Sequence, residues 1–230
     1  MSDFTSIKQW LKSTEDEPLE TMGGFFDRRV DSYEDHMRPW RAYYRWLGEL
    51  IPAQAETLLD LGCGTGLELD EIFRLHPDIR VTGIDLAPGM LARLREKHPE
   101  RKLTLTVGDY LTVPLAPCAF DVAVAFETLH HFPPETKLGL FRRIFAALRP
   151  GGMLLEGDYI AESDEMETYL FQELARRRAR QHVPEGTFVH FDTPLTLAHE
   201  LSLLRQAGFT AEVLGYRGED NTPMIRAIKP

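Results

Sequence analysis

Leu58-Leu59-Asp60-Leu61-Gly62-Cys63-Gly64-Thr65-Gly66-Leu67 is the stretch whose reading decides the fold. An apolar run of strand length meets three glycines at alternate positions, then continues into an amphipathic stretch as far as Leu75. That order predicts a buried strand, a tight turn and a helix, and open parallel sheets bind ligands where such strands end. Glycine permits positive φ and lets a ligand approach the backbone, although a glycine turn alone also serves as a plain connection. The spacing here is G-x-G-x-G. The dinucleotide fingerprint G-x-G-x-x-G/A needs a small third residue for helix packing, and that position is Leu67. Asp60, two residues before the first glycine, suits an ammonium group better than a diphosphate. Both features count against a nicotinamide dehydrogenase.

Outward from this loop, apolar runs alternate with amphipathic ones. Strands are predicted at Ile79 to Ile84, Leu103 to Val107, Phe120 to Phe126 and from Met153, with helices around Met90 to Lys97 and Glu135 to Leu148. Gly151-Gly152 is read as the stop of that second helix. Such an order implies a parallel sheet covered by helices on both faces. The first fifty residues are polar, aromatic-rich and helical in pattern, with Pro18, Pro39 and Pro52 as boundaries. After Asp158 comes a charged, aromatic stretch ending near Thr193, in which Glu165 to Arg180 reads as a helix. A helix carrying Leu197, Leu201 and Leu204 stops at Gly208, and strand-like runs Thr210 to Tyr216 and Met224 to Ile228 close the chain.

The 230 residues are 43% hydrophobic and 27% charged, enough for a core without staples. A formal charge of −10 disfavours a nucleic-acid partner lacking a local basic patch. Two cysteines, Cys63 and Cys118, make neither a disulfide framework nor a zinc site. No apolar run approaches the roughly 20 residues that cross a bilayer, and the N-terminus lacks the pattern of a signal peptide. The expectation is a soluble, cytoplasmic protein, and nothing in the sequence fixes its oligomeric state.

Two further strands also end in acids. Asp85 closes Val81-Thr82-Gly83-Ile84-Asp85, and Asp109 follows Val107-Gly108. An acid at the first position accepts hydrogen bonds from ribose hydroxyls, or else caps the next helix. Leu86 and Met90 could floor an adenine ring, while Asp109 and Tyr110 could meet its amino group. The segments LLDLGCGTG, VTGIDLAPGML, VGDY, FDVAVAFETLHHF and LRPGG, in this order, resemble the successive motifs of the class I S-adenosylmethionine-dependent methyltransferases. The similarity runs from about Tyr33 to Pro230.

The resemblance implies a Rossmann-like seven-stranded α/β sheet in the order 3-2-1-4-5-7-6, its last strand antiparallel. It implies S-adenosylmethionine as cofactor and one methyltransferase domain. Within it, residues 1–52 form a helical cover, 53–158 the cofactor-binding core, 159–193 a lid insertion and 194–230 the last helix and strands. Asp60, Gly62, Cys63, Gly64 and Gly66 match the site of the methionine end, Asp85 the ribose acid, and Asp109 with Tyr110 the adenine site. Tyr33 matches a cover residue that closes over the cofactor. The implied acceptor is a small molecule with an oxygen, nitrogen or sulfur nucleophile. A catalytically silent cofactor-binding or scaffolding protein and an RNA-modifying enzyme are the alternatives.

Methyl transfer is an in-line displacement, so holding the two reactants in line supplies most of the acceleration. A base is needed only when the acceptor must lose a proton. The fourth strand ends in Phe126-Glu127-Thr128-Leu129-His130-His131, where an acceptor would be read. His131 is the candidate base or substrate-orienting group, against a structural role, and His130 reads as structural. Glu127 is a candidate partner of the cofactor's amino group or of a cationic acceptor, against a solvated acid. Asp158 and Tyr159 point toward the same mouth. His190 and Asp192, with His131 and Asp158, could ligate a metal, but no strict ligand spacing is present and no metal is assigned. Asp192 and Thr193 read instead as a helix N-cap, with Pro194 at the first helical position. Phe188 and Phe191 read as a lid wall or as core. The basic run Arg176-Arg177-Arg178 with Arg180 reads as a solvated helix face, against an anionic acceptor or RNA.

Overall fold

The leucines of β1 (Thr57–Leu61) divide between two cores. Leu59 and Leu61 face one hydrophobic cluster and Leu58 the other, as the period of a pleated strand requires, and all three are fully buried. The computed structural model describes residues 4–218 and 221–230. Around β1 lie β2 (Arg80–Asp85), β3 (Leu103–Val107), β4 (Phe120–Phe126), β5 (Leu148–Gly157), β6 (Thr210–Gly215) and β7 (Met224–Ile228). Their order is β3-β2-β1-β4-β5-β7-β6, as the motif resemblance implies. The first five strands run parallel, and β7 pairs antiparallel with both β5 and β6. Asp60 lies beside Gly83 of β2 and Val124 of β4, so the glycine loop leaves the sheet at its centre.

Nine helices are described: α1 (Phe4–Ser13), α2 (Met22–Asp27), α3 (Val30–His36), α4 (Arg41–Leu50), α5 (Leu67–Leu75), α6 (Pro88–Lys97), α7 (Pro134–Ala147), α8 (Asp164–Arg180) and α9 (Leu197–Gln206). Leu140, Phe141 and Ile144 of α7 and Leu203 and Leu204 of α9 fill one face of the sheet. Tyr43 and Leu47 of α4, Leu69 and Ile72 of α5 and Leu94 of α6 fill the other. Each such aliphatic or aromatic side chain contributes about 1.5–3 kcal/mol on burial. By that measure α4 is part of the core, whereas α2 buries only Met22 and α3 buries nothing. The lightly buried part of the N-terminal region is therefore α2 and α3, and Gly23 of α2 lies against Leu86, just beyond the carboxyl end of β2.

Three local expectations are corrected. Gly151-Gly152 does not end a helix: β5 already begins at Leu148, and a register shift between Phe120 and Val122 with Gly151 at φ +77° carries the strand through the pair. Asp192 and Thr193 do not cap α9. The cap is Thr196, whose side chain accepts the His199 amide, and Pro194 lies outside the helix. The basic run on α8 is not a free face. Arg177 is buried, pairs with Glu173 and donates to the Leu11 and Thr14 carbonyls, fastening α1 to α8. Arg176 and Arg180 pair with Glu15, and Arg178 donates to the Pro184 and Thr187 carbonyls. The reason is one of context: a charge run is solvated only where no second helix packs on it.

Candidate functional site

The turn between β1 and α5 folds tightly because its glycines take left-handed conformations. Gly62 has φ +70°, and a Cβ there would lie 2.3 Å from Thr128 Oγ1, so no side chain fits. Gly66, at φ +73°, opens α5. Across the crossover, Asp85 ends β2 and holds the loop in place: its Oδ2 accepts the Gly64 amide at 2.9 Å and its Oδ1 the Ala87 amide at 2.8 Å. Burial raises its carboxyl above the ordinary value, while the bonds from Ala87 and Gly64 pull it back. Each oxygen keeps a second lone pair for a further donor.

A cavity lies over this turn, lined among others by Gly62, Gly64, Asp85, Leu86, Met90 and Tyr110. Glu127, Thr128 and His131 come from the end of β4, and Met22, Phe26, Tyr33 and Phe188 close it from above. Its volume is about 50 Å³, far below the ~300 Å³ at the small end of ligand pockets. The roof is a joint structure. Met22 donates to the Phe188 carbonyl, His190 donates to the Glu20 carbonyl, and the Phe25 and His190 rings stack at 3.5 Å. Asp27 and Asp31 tie the same helices to Gly89 and Arg93 of α6. Tyr33 lies against Gly64. The roof elements α2, α3 and the 188–191 segment thus bound the space left for a ligand.

Four of the sequence-derived residues lie away from the cavity wall. Asp60 is buried behind the turn, its Oδ2 without a hydrogen-bond partner, beside the buried Glu68 of α5. Burial first, then the charge of Glu68, hold the Asp60 carboxyl well above the carboxylate range, and burial pushes Glu68 up to about 7. The two acids thus share less than two full charges near neutrality. Cys63 is buried against Gly83, Gly66 packs on Leu94, and Asp109 turns its Oδ1 to the amide of Leu111. Tyr110, next in the chain, lines the cavity and bonds Thr128 through its hydroxyl. Sequence reasoning passed over Glu68 and Met22, whereas Thr128 lay within the run read at the end of β4 and Phe26 within the N-terminal cover. Glu68 carried a signal, an acid one residue into a helix whose partner acid precedes the glycines.

At the end of β4 the backbone turns sharply, with Glu127 at φ +51° and its Oε1 accepting the Thr222 hydroxyl. His130 Nδ1 bonds Asp158 Oδ1 at 2.5 Å, and Asp158 is itself fixed by the Leu129 and Tyr159 amides. Burial opposes a charge on His130, but Asp158 and then Asp192 outweigh it and keep the ring protonated well above its ordinary value. His131 behaves in the opposite way: burial and the neighbouring His130 push it down to about 3. Its Nδ1 donates to the Phe191 carbonyl at 3.2 Å, since a carbonyl only accepts, and Nε2 is left as the ring's bare nitrogen. Thr193 donates to the His130 carbonyl, drawing the insertion down onto both histidines.

Residues 58–152 match the profile of the methyltransferase domain family. The chain is 30% identical over 173 residues to a carboxy-S-adenosyl-L-methionine synthase from Geobacter sp. (strain M21), an alignment covering 69% of this chain and 70% of that protein. The chain belongs to the class I S-adenosylmethionine-dependent methyltransferases. A second relative, the carboxy-S-adenosyl-L-methionine synthase of Chromohalobacter salexigens, is 38% identical over 182 residues. That alignment covers 73% of this chain, and the chain spans 65% of the relative's length. Among solved structures, an O-methyltransferase family protein from Burkholderia thailandensis superposes with a TM-score of 0.67 at 16% identity, covering 99% of this chain and 70% of the other. At that identity the likeness is one of methyltransferase fold. No helix among the described residues is long and apolar enough to cross a membrane.

Proposed function

We propose that this chain transfers the methyl group of S-adenosylmethionine to a small molecule that carries no anionic group at the reacting end. The carrying observation is the charge of the cavity wall: Asp85 and Glu127 line it, and no lysine or arginine does so among the described residues. A cationic ligand is favoured there and a carboxylate finds no partner. The names of the two relatives describe making a carboxylated cofactor, for which this wall offers no matching cation.

Bound S-adenosylmethionine supplies a methyl group on a positively charged sulfur. The backbone at Gly62 and Gly64 admits its chain closely, and the spare lone pairs of Asp85 accept from the ribose. Leu86 and Met90 give the adenine an apolar floor, Tyr110 borders it, and Glu127 faces the amino group. Tyr33 and Phe26 roof the site and exclude water. His131 Nε2, held neutral by burial and by His130, accepts the X–H of an acceptor and orients its lone pair along the transfer line, while the proton leaves to solvent. RNA is a poorer acceptor, because the arginines of α8 are engaged within the molecule.

The test is a screen of thiols, phenols and amines for release of S-adenosylhomocysteine. His131→Ala should keep cofactor affinity and lower turnover with a proton-bearing acceptor by losing the group that orients it. Unchanged turnover removes His131 from the mechanism. Cofactor binding with no turnover on any acceptor would favour a silent binding protein.

A further inference from the structure

We propose that His130, His131 and Asp192 form a binding site for one divalent cation of the zinc class. Sequence spacing did not suggest it, because the donors come from two segments sixty residues apart that meet only when the insertion folds over β4. His130 Nε2 and His131 Nδ1 each lie 3.4 Å from Asp192 Oδ1, and the three donor atoms are within 4.8 Å of one another. With metal–nitrogen and metal–oxygen bonds of about 2.0–2.2 Å, neighbouring ligands of a tetrahedral ion are roughly 3.3–3.5 Å apart. The donors therefore stand close to ligand spacing before any ion arrives.

Three features around the triad fit a metal. Asp158 holds the far nitrogen of His130, Nδ1, and is anchored by two backbone amides, which is the carboxylate–histidine support that metal-binding imidazoles use. Asp158 and Asp192 put a negative charge on each side of His130, and a dication that displaces the Nε2 proton of the charged ring to solvent matches both. Both histidines are buried while the Asp192 side chain is half exposed, so one face is open for an ion to reach the donors. Two imidazoles with one carboxylate select zinc, cobalt, nickel or copper over magnesium and calcium. The Phe191 carbonyl, bonded to His131 Nδ1, loses that bond when the nitrogen turns to the ion.

Occupancy has a consequence that rests on the function proposed above. With Nδ1 on the metal, the ring proton of His131 moves to Nε2, and the nitrogen offered to an acceptor changes from hydrogen-bond acceptor to donor. The ion would then block transfer to any acceptor that must shed a proton.

The experiment is titration of the full chain, without cofactor or acceptor, with Co²⁺ followed by visible absorption and with Zn²⁺ followed by calorimetry. The expected result is saturable binding of one ion per chain, with cobalt bands of a low-coordinate site. His130→Gln and Asp192→Asn should each weaken binding more than about tenfold, while His36→Gln, at an exposed position on α3, should leave it unchanged. Asp192→Asn is half exposed and keeps the test valid if His130→Gln fails to fold. No saturable binding, or binding indifferent to both variants, overturns the site. Zinc binding without inhibition of a proton-bearing acceptor would count against the role of His131 in transfer and leave the site standing.

Discussion

Asp85→Asn isolates the charge at the tip of β2 while keeping the shape of the side chain. In the structure the carboxylate accepts two backbone amides, Gly64 at 2.9 Å and Ala87 at 2.8 Å, and retains one lone pair on each oxygen. Asparagine keeps one acceptor oxygen and turns an NH₂ toward the other amide, so one backbone donor loses its partner and one ribose hydroxyl loses a charged acceptor. A hydrogen bond to a charged group contributes about 1.5–3 kcal/mol. At 1.4 kcal/mol per tenfold, cofactor affinity should fall roughly 10- to 150-fold. Calorimetric titration with S-adenosylhomocysteine reads this directly, and a melting curve without ligand reports the cost to the loop separately. Affinity within about threefold of the parent, at an unchanged melting temperature, would refute the assignment of the ribose to Asp85.

Gly62→Ala should abolish cofactor binding and lower stability by more than about 1 kcal/mol, because the new methyl meets Thr128 Oγ1 at 2.3 Å at a φ of +70°; a normal melting curve contradicts this. Phe25→Ala removes the 3.5 Å stack on His190 that joins the two halves of the roof. Stopped-flow fluorescence should then show faster cofactor association, and an unchanged rate would mean that the roof does not limit access. Glu68, raised to about 7 by burial, is held protonated by the fold. Its stabilisation is complete below the unfolded value of an ordinary glutamate and is lost as pH rises through about 7. Thermal melts should therefore fall from about pH 5 to about pH 7 and level off above that, by less in Glu68→Gln; an equal fall in both assigns the dependence elsewhere.

The sequence disclosed those parts of the fold in which local pattern and tertiary context agree. The β1 leucines, the alternate glycines and the apolar face of α7 each declare an element by period alone, and the antiparallel β7 followed from the motif resemblance. Contacts that need two distant segments were hidden. Nothing local to Arg177 says that α1 will cover it, and nothing local to Asp192 says that it will stand between two histidines rather than begin a helix. Asp60 illustrates a subtler loss: an acid before a glycine turn reads as facing the ligand, yet the pleat of β1 sends it to the face of Leu58, where α5 supplies Glu68. Asp109 went to its own turn for the reason aspartates often do, a backbone amide two residues on.

The cavity over the glycine turn should accept S-adenosylhomocysteine and refuse a nicotinamide dinucleotide. Calorimetry of the unmodified chain against S-adenosylhomocysteine and against NADH, side by side, decides it. One S-adenosylhomocysteine per chain, with no heat from NADH, is the predicted result; NADH binding, or neither ligand binding, contradicts it.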